Sequence, residues 1–336
     1  MRRMIPEETR ALVRAARAFA VEQPARTWAE VAPTLLLAAA TQALLLAPVP
    51  LGWKLPLGLL HALVLVRVFA FFHDVQHCAI FRRSSVGRWL VNAFSLYFVY
   101  SPPVWRSRHD AHHRRNSLTN AREVAGQIPM VTLSAWQRLD PSARRLYRLF
   151  RHPLAVAGGL FTYFALPSWR AFRAQPRRCW TAPVWMAVPP VALLVVAAWR
   201  DVATALVAIG LPLLVSSMVG SYLFYAQHSF EGVRYQERED WDYFYAALHT
   251  SSMFDMPALL HWFTGNIGYH HVHHVNAAIP FYRLPEAMAA IPALQRPALT
   301  SWRLADVRHV LTRHVWDDTA QRLLTYEEAD RAAPGV

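Results

Sequence analysis

Residues 55–77, LPLGLLHALVLVRVFAFFHDVQH, decide the architecture of this chain. From Leu55 to Phe72 the stretch is nearly all apolar, and as a helix it is long enough to cross a hydrocarbon core of about 30 Å. It then ends in two histidines four residues apart, His73 and His77. A second apolar run, Ala32 to Pro50, precedes it, and Pro48, Pro50 and Gly52 mark a tight turn between the two. The pattern recurs in Pro183 to Trp199 and Val202 to Ala226, separated only by Arg200 and Asp201. The expected fold is an all-α integral membrane protein with four transmembrane helices in two hairpins.

Two further apolar stretches, Trp89 to Trp105 and Pro153 to Trp169, are short and bounded by Pro102, Pro103, Pro153 and Pro167. The arginine-dense regions are the N-terminal segment (Arg2, Arg3, Arg10, Arg14, Arg17), residues 106–151 and the loop carrying Arg170, Arg173, Arg177 and Arg178. All three lie on one face of the membrane only if neither extra stretch spans, so both are read as interfacial or re-entrant helices. Six spans would put the Arg170 to Arg178 loop outside. By the positive-inside rule the arginine face is cytoplasmic, and the expected location is a bacterial cytoplasmic membrane.

Composition agrees: 54% of the 336 residues are hydrophobic and 17% charged, against roughly a quarter charged in soluble domains. The formal charge of +13 comes from 35 basic and 22 acidic residues, and Lys54 is the single lysine. Such charge beside four spans points to anionic lipid or an acidic protein as partner, and not to nucleic acid. The arginine usage and alanine richness fit a GC-rich bacterial gene. Cys78 and Cys179 are too far apart for a CxxC site and read as packing residues. No repeat or long linker divides the chain, so residues 1–336 read as one domain. Residues 1–31 form a cytoplasmic segment with a helix starting near Pro6, 32–72 the first hairpin, 73–182 a cytoplasmic and interfacial region, 183–226 the second hairpin, and 227–336 a cytoplasmic cap.

The sixteen histidines are clustered. His73 and His77 close the second span, His109, His112 and His113 follow in the next polar segment, and His270, His273 and His274 lie in the cap. On a helix, HxxxH puts two imidazoles one turn apart on one face, and HxxHH puts three within a turn. Neutral imidazole binds iron, copper, nickel and zinc. Eight nitrogens exceed the needs of one ion, so the cap is expected to carry a di-metal site.

The order HxxxH, HxxHH, HxxHH between two membrane hairpins resembles the membrane-bound fatty acid desaturase family over about Ala32 to Trp316. The segments 73–77 (HDVQH), 225–231 (YAQHSFE), 241–244 (WDYF), 265–274 (GNIGYHHVHH) and 279–282 (IPFY) are similar to its bacterial delta-12 (omega-6) acyl desaturase branch. The resemblance implies two iron ions, O2 as co-substrate and a fatty acyl lipid as substrate. It implies metal ligands at His73, His77, His109, His112, His113, His270, His273 and His274, and a ninth at His228. Some relatives carry, a turn before that ninth ligand, an asparagine that reaches a metal through water; this chain has Phe224. No HPGG-like haem segment is present, so the electrons are expected from a separate ferredoxin or cytochrome b5-like protein. Arg106, Arg108, Arg114, Arg115 and Arg122 offer charge for such a partner or for lipid headgroups.

A metal-bound imidazole usually donates its other N–H to a carboxylate or carbonyl, and Asp74, Asp110, Glu231 and Asn266 are placed to do so. His271 is expected to face away from the site. His249 and His261 are left out of it, His61 reads as packed, and His152, His309 and His314 read as surface residues. Arg67, six residues before His73 inside the span, is expected to face the protein interior or snorkel. The acyl chain is expected in an apolar tunnel beneath the metals, among the spans and the aromatic residues around Phe69, Phe71, Phe72, Phe94, Tyr97 and Phe98, most of which read as packing with none assigned to the tunnel individually. The expected activity is O2-dependent insertion of a cis double bond, of delta-12 type on an oleoyl chain. An acyl hydroxylase or carotenoid-modifying oxygenase uses the same histidine pattern, and a membrane zinc or iron transporter is the remoter alternative.

Overall fold

The computed structural model describes residues 6–119 and 130–332. Arg2, Arg3 and Arg122, counted above in the basic face, lie outside the described residues. Helix α1 (Pro6–Phe19) opens with Glu7 and Glu8 in its first turn, where the positive end of the helix dipole favours acids. Helices α2 (Pro24–Leu46) and α3 (Leu51–Gln76) form the first hairpin; α2 starts before its apolar run and stops at Leu46, short of Pro50, and α3 overruns its own at both ends. The buried positions of α2 are Thr27, Val31, Thr34, Leu35, Ala38, Thr41 and Leu45, which, Leu35 apart, follow one another in alternating four- and three-residue steps. That seam is mostly small, which lets two helices approach closely in lipid. The threonine hydroxyls at 34 and 41 are satisfied by the carbonyls of Glu30 and Leu37, 2.8 and 2.7 Å away.

Helix α4 (Ser85–Phe94) and a short 3-10 turn (Ser95–Phe98) occupy the first of the two extra stretches, and Val99, in the left-handed region at φ 52, breaks it before α5 (Pro102–Arg115). Helices α6 (Leu133–Arg138), α7 (Pro141–Arg151) and α8 (Pro153–Ala157) lead into one π-helical turn and α9 (Leu166–Ala174). This second stretch lies against the last span, where Gly159 meets Ser221 so closely that a Cβ would fall 2.2 Å from its hydroxyl. The second hairpin is α10 (Ala182–Trp199), then α11 (Val202–Ala205), which continues through a π-helical turn into α12 (Leu211–Ala226). Among the described residues four helices are long and apolar enough to cross a membrane: 24–46, 51–76, 182–199 and 202–226. Their outward faces expose Leu36, Leu59, Val191, Leu194 and Leu206, and Trp53 and Trp199 mark the ends away from the histidines.

Helix α3 is the hub, packed between α2 and α12. Because each hairpin starts and finishes on the same side, the ends of α3 and α12, the N-terminal helix and the cap all gather there. The cap holds α13 (Tyr243–His249), α14 (Ala258–Phe263) and α15 (His270–Val275). It also carries short strands that helical periodicity does not announce. Strand β1 (Val131–Thr132) pairs in parallel with β4 (Arg313–Asp317), which pairs antiparallel with β5 (Arg322–Thr325); β2 (Met253–Asp255) pairs in parallel with β3 (Leu299–Ser301). Leu12, Ala16 and Phe19 of α1 pack on Val272, Val275 and Ile279, so the N-terminal helix backs the third histidine box.

Three single-residue expectations are corrected. Cys78 is exposed, because a left-handed backbone (φ 55) just after α3 turns it outward; Cys179 is buried. His314 is buried and His309 half-buried, not superficial, because β4 runs through the cap with the His314 ring on Tyr326 at 4.7 Å and its Nδ1 3.1 Å from the Tyr225 hydroxyl.

Candidate metal centre

Nine imidazoles converge above the ends of α3 and α12 in two sets. His73, His77, His109, His113 and His273 form one; His112, His228, His270 and His274 form the other. Within each set one ring nitrogen per residue lies within 4.8 Å of all the others. The division follows helical geometry. Residues four apart share a face, so His73 with His77, His109 with His113, and His270 with His274 each serve one set, while His112 and His273 turn to the other. Both HxxHH boxes therefore straddle the two sets.

The Nε2 atoms approach in pairs: His73 and His109 at 3.0 Å, His109 and His113 at 3.1 Å, His113 and His273 at 3.0 Å, His112 and His274 at 3.2 Å, His228 and His270 at 2.9 Å, His270 and His274 at 3.1 Å. An N–H···N hydrogen bond accounts for a single such pair, but His109, His113, His270 and His274 each meet two neighbouring Nε2 atoms with at most one proton to give, whereas a shared cation satisfies all the lone pairs at once. Nitrogens bound at about 2.1 Å and at right angles to one another stand about 3.0 Å apart, whereas tetrahedral ligands stand about 3.4 Å apart. The residues present thus fit metal ions.

Ring orientation is fixed from outside. His73 Nδ1 lies 3.1 Å from Asp74 Oδ1, and Asp74 Oδ2 accepts the Phe281 N–H at 2.7 Å, tying the end of α3 to the cap. His228 Nδ1 donates to the Thr250 carbonyl at 2.8 Å, leaving its Nε2 lone pair directed inward. Trp105 stacks on His109 at 4.2 Å, and the Tyr243 hydroxyl donates to the His274 carbonyl at 2.7 Å. Trp105 was legible as a residue one helical turn before His109; Thr250 and Phe281 act through backbone groups and leave no side-chain signal. Burial, reinforced by neighbouring imidazoles, lowers the pKa of His109, His112, His113, His270, His273 and His274 well below the usual histidine value. Burial lowers His228 to about 4, its bond to Thr250 partly opposing. Neutral imidazole, the form that ligates metal, is the form this environment favours.

Of the four residues expected to orient the rings, Asp74 alone touches one. Asp110 is half-buried on α5 and makes no hydrogen bond to a described histidine, because one step along the helix from His109 turns it off the metal face. Glu231 is exposed in the turn after α12. Asn266 donates instead to the Phe281 carbonyl at 3.1 Å, its backbone held at φ 55 beside Gly265. His271 points away and donates to the Leu294 carbonyl at 3.0 Å. His249 rests on Tyr245 and His261 on Tyr269, outside both sets. His61 is buried with Nδ1 2.7 Å from the Thr41 hydroxyl, and His152 is exposed. Phe224 packs its ring on His112 at 4.9 Å, placing an apolar side chain at that position.

A predominantly apolar cavity of about 810 Å³ ends on these rings, with His73, His109 and His270 in its wall. Val66, Phe69 and Ala70 of α3, Phe164 of the π-helical turn, and Gly220, Leu223 and Phe224 of α12 line its length. Of the aromatic residues named around the path Phe69 lines it, while Phe71, Phe72, Phe94, Tyr97 and Phe98 pack on α2 and α3, in keeping with the reading of most of them as packing residues.

A membrane bundle whose apolar cavity stops at a double histidine cluster defines an enzyme that works on a lipid chain. The chain belongs to the fatty acid desaturase family, whose model matches residues 48–305. It is 28% identical to a Bacillus subtilis (strain 168) protein named fatty acid desaturase over 278 residues, 81% of this chain and 77% of that one. Two cyanobacterial proteins named sn-1 oleoyl-lipid 12-desaturase, from Synechocystis and Anabaena variabilis, are 25% and 23% identical over 66% of this chain and 63% and 64% of their own lengths. The protein is accordingly a membrane-embedded desaturase, an oxidoreductase acting on a fatty acyl lipid with a metal cofactor.

Proposed function

We propose that the chain inserts a cis double bond at the delta-12 position of an oleoyl chain in a membrane lipid, using two irons and O2. The observation that carries the reading is the apolar cavity closing on two adjacent imidazole sets. The nine histidines His73, His77, His109, His112, His113, His228, His270, His273 and His274 would hold the ions. The roughly 3.0 Å spacing of their nitrogens supports right-angled coordination, which suits iron better than tetrahedral zinc. When bound, the irons supply the redox chemistry with O2 that removal of hydrogen from an unactivated chain demands. The protein residues do the rest. The cavity wall holds the chain extended and dry beneath His73, His109 and His270, and distance along the cavity selects the carbons. Two hydrogens leave the chain, and with two external electrons and two protons O2 becomes two waters. The electrons come from a ferredoxin or cytochrome b5-like protein on the cytoplasmic side, the side on which the arginines gather.

Gas chromatography with mass spectrometry of derivatised fatty acids tests the reading, in a bacterium that makes no dienes, expresses the chain and is supplied with oleate. A new 9,12-diene is the expected product. A diene at another position corrects the regiochemistry; a hydroxylated chain, or an unchanged profile from inserted, iron-loaded protein given reductant, refutes it.

A further inference from the structure

Eight of the nine imidazoles are buried and one is not. His77 alone is half-buried, with its Nε2 buried toward its set. The next residue, Cys78, is exposed, with Arg106 Nη2 3.0 Å from its sulfur and Arg82 Nε donating to its carbonyl at 2.6 Å. Arg83 is exposed beside Arg82, and Arg88 follows one turn into α4. None of these four arginines forms an ion pair among the described residues. Of the acids near the patch, Glu22 is occupied by the backbone N–H groups of Phe81 and Arg82 at 2.6 and 2.9 Å, and Asp110, one turn after Arg106 on α5, forms no ion pair with it among the described residues. The contrast with the far side of the cap is sharp, where Arg144, Arg148, Arg313 and Arg322 are all paired with Asp330 or Glu328.

We propose that the patch formed by Arg82, Arg83, Arg88 and Arg106 docks an acidic one-electron carrier protein, and that electrons reach the metals through His77, the ligand nearest the patch in sequence. The proposal rests on the di-iron reading above. Each docking event oxidises the carrier by one electron and reduces the centre by one, so two events serve each double bond. Four cations without carboxylate partners among the described residues attract an acidic surface, and His77, the least buried of the nine ligands and the neighbour of Cys78, makes the path short.

The test uses the full chain, iron-loaded, in phosphatidylcholine nanodiscs. It compares reduction by a reduced [2Fe–2S] ferredoxin with reduction by photoreduced 5-deazariboflavin, which is small and uncharged. The variants are the double substitution Arg83→Glu/Arg106→Glu, and wild type capped at Cys78 with a polyethylene glycol maleimide, Cys179 being buried. Both should slow ferredoxin reduction at least about tenfold at low salt, with the charge effect shrinking as ionic strength rises. Iron content and deazaflavin reduction should not change. Unchanged ferredoxin rates in both variants, or equal losses with both reductants, would overturn the assignment. Weaker binding to phosphatidylglycerol vesicles with ferredoxin rates intact would give the patch to anionic lipid instead. Wild type that accepts electrons from neither reductant would sink the di-iron reading itself.

Discussion

Adjacent histidines in one box should serve different ions, and the structure lets the difference be sized. His112 belongs to the four-imidazole set and His113 to the five. If a four-ligand site binds its ion with about 10–16 kcal/mol, each imidazole contributes roughly 2.5–4 kcal/mol. At about 1.4 kcal/mol per decade, that is a 100- to 1,000-fold loss of affinity for one missing ligand. His112→Ala leaves sets of five and three, and should hold about one iron per chain at a buffered free-iron concentration where wild type holds two. His113→Ala leaves four and four, and should still hold two, each site then matching the ligand count of the weaker wild-type site. Anaerobic iron titration of chelator-stripped protein, read by elemental analysis, separates the cases. Equal stoichiometry in the two variants, or loss of an ion only from His113→Ala, would refute the division of the boxes.

Removing the carboxylate that orients His73, by Asp74→Ala, should weaken binding at the five-imidazole set by about 10- to 100-fold while leaving the other set loaded, which the same titration detects. Gly220 lines the cavity, and a Cβ there meets nothing closer than Phe164 Cζ at 3.9 Å. Gly220→Leu should therefore fold and keep its metals yet discriminate against long acyl chains, read as a shift in product chain length in lipid extracts. Gly265 combines φ +55 with an Ala70 Cβ only 2.5 Å from where its own would lie. Gly265→Ala should cost roughly 1–3 kcal/mol, seen as earlier thermal unfolding in detergent, and should lower activity because the cap is levered off α3. A variant as stable as wild type would show that the contact relaxes freely.

The spans and the boxes were legible because apolar length and four-residue spacing are properties of the chain itself, independent of how helices face one another. How the boxes divide was not, since it depends on the rotation of α3, α5 and α15 about their own axes in the assembled cap. Asp74 was legible because its neighbour in sequence is its neighbour in space; Asp110 stands in the same relation to His109 but on a differently turned helix. Burial of His314 depended on a strand, and β1 is two residues long and pairs with β4 across some 180 positions, too short and too distant for alternation to register. Phe224 was visible as a departure, but only its packing on His112 shows that an apolar ring fills that position.

Arg67 carries a consequence for how the protein is made. Its guanidinium lies 2.6 Å from Glu30 and 3.2 Å from the Thr34 hydroxyl within the first hairpin, stacks on Trp262 at 4.1 Å, and donates to the Trp262 carbonyl. Trp262 is 195 residues downstream, so at 5–20 residues per second the ribosome needs roughly 10–40 s to deliver it. Through that interval the hairpin sits in the bilayer with a cation that lipid does not tolerate alone. Glu30 and Thr34 have already been synthesised and can hold it from the start. A chain lacking Glu30 would reach the same final set of cap contacts only after a period in which its first hairpin is poorly anchored, exposed to retrotranslocation and to membrane proteases before the cap is complete.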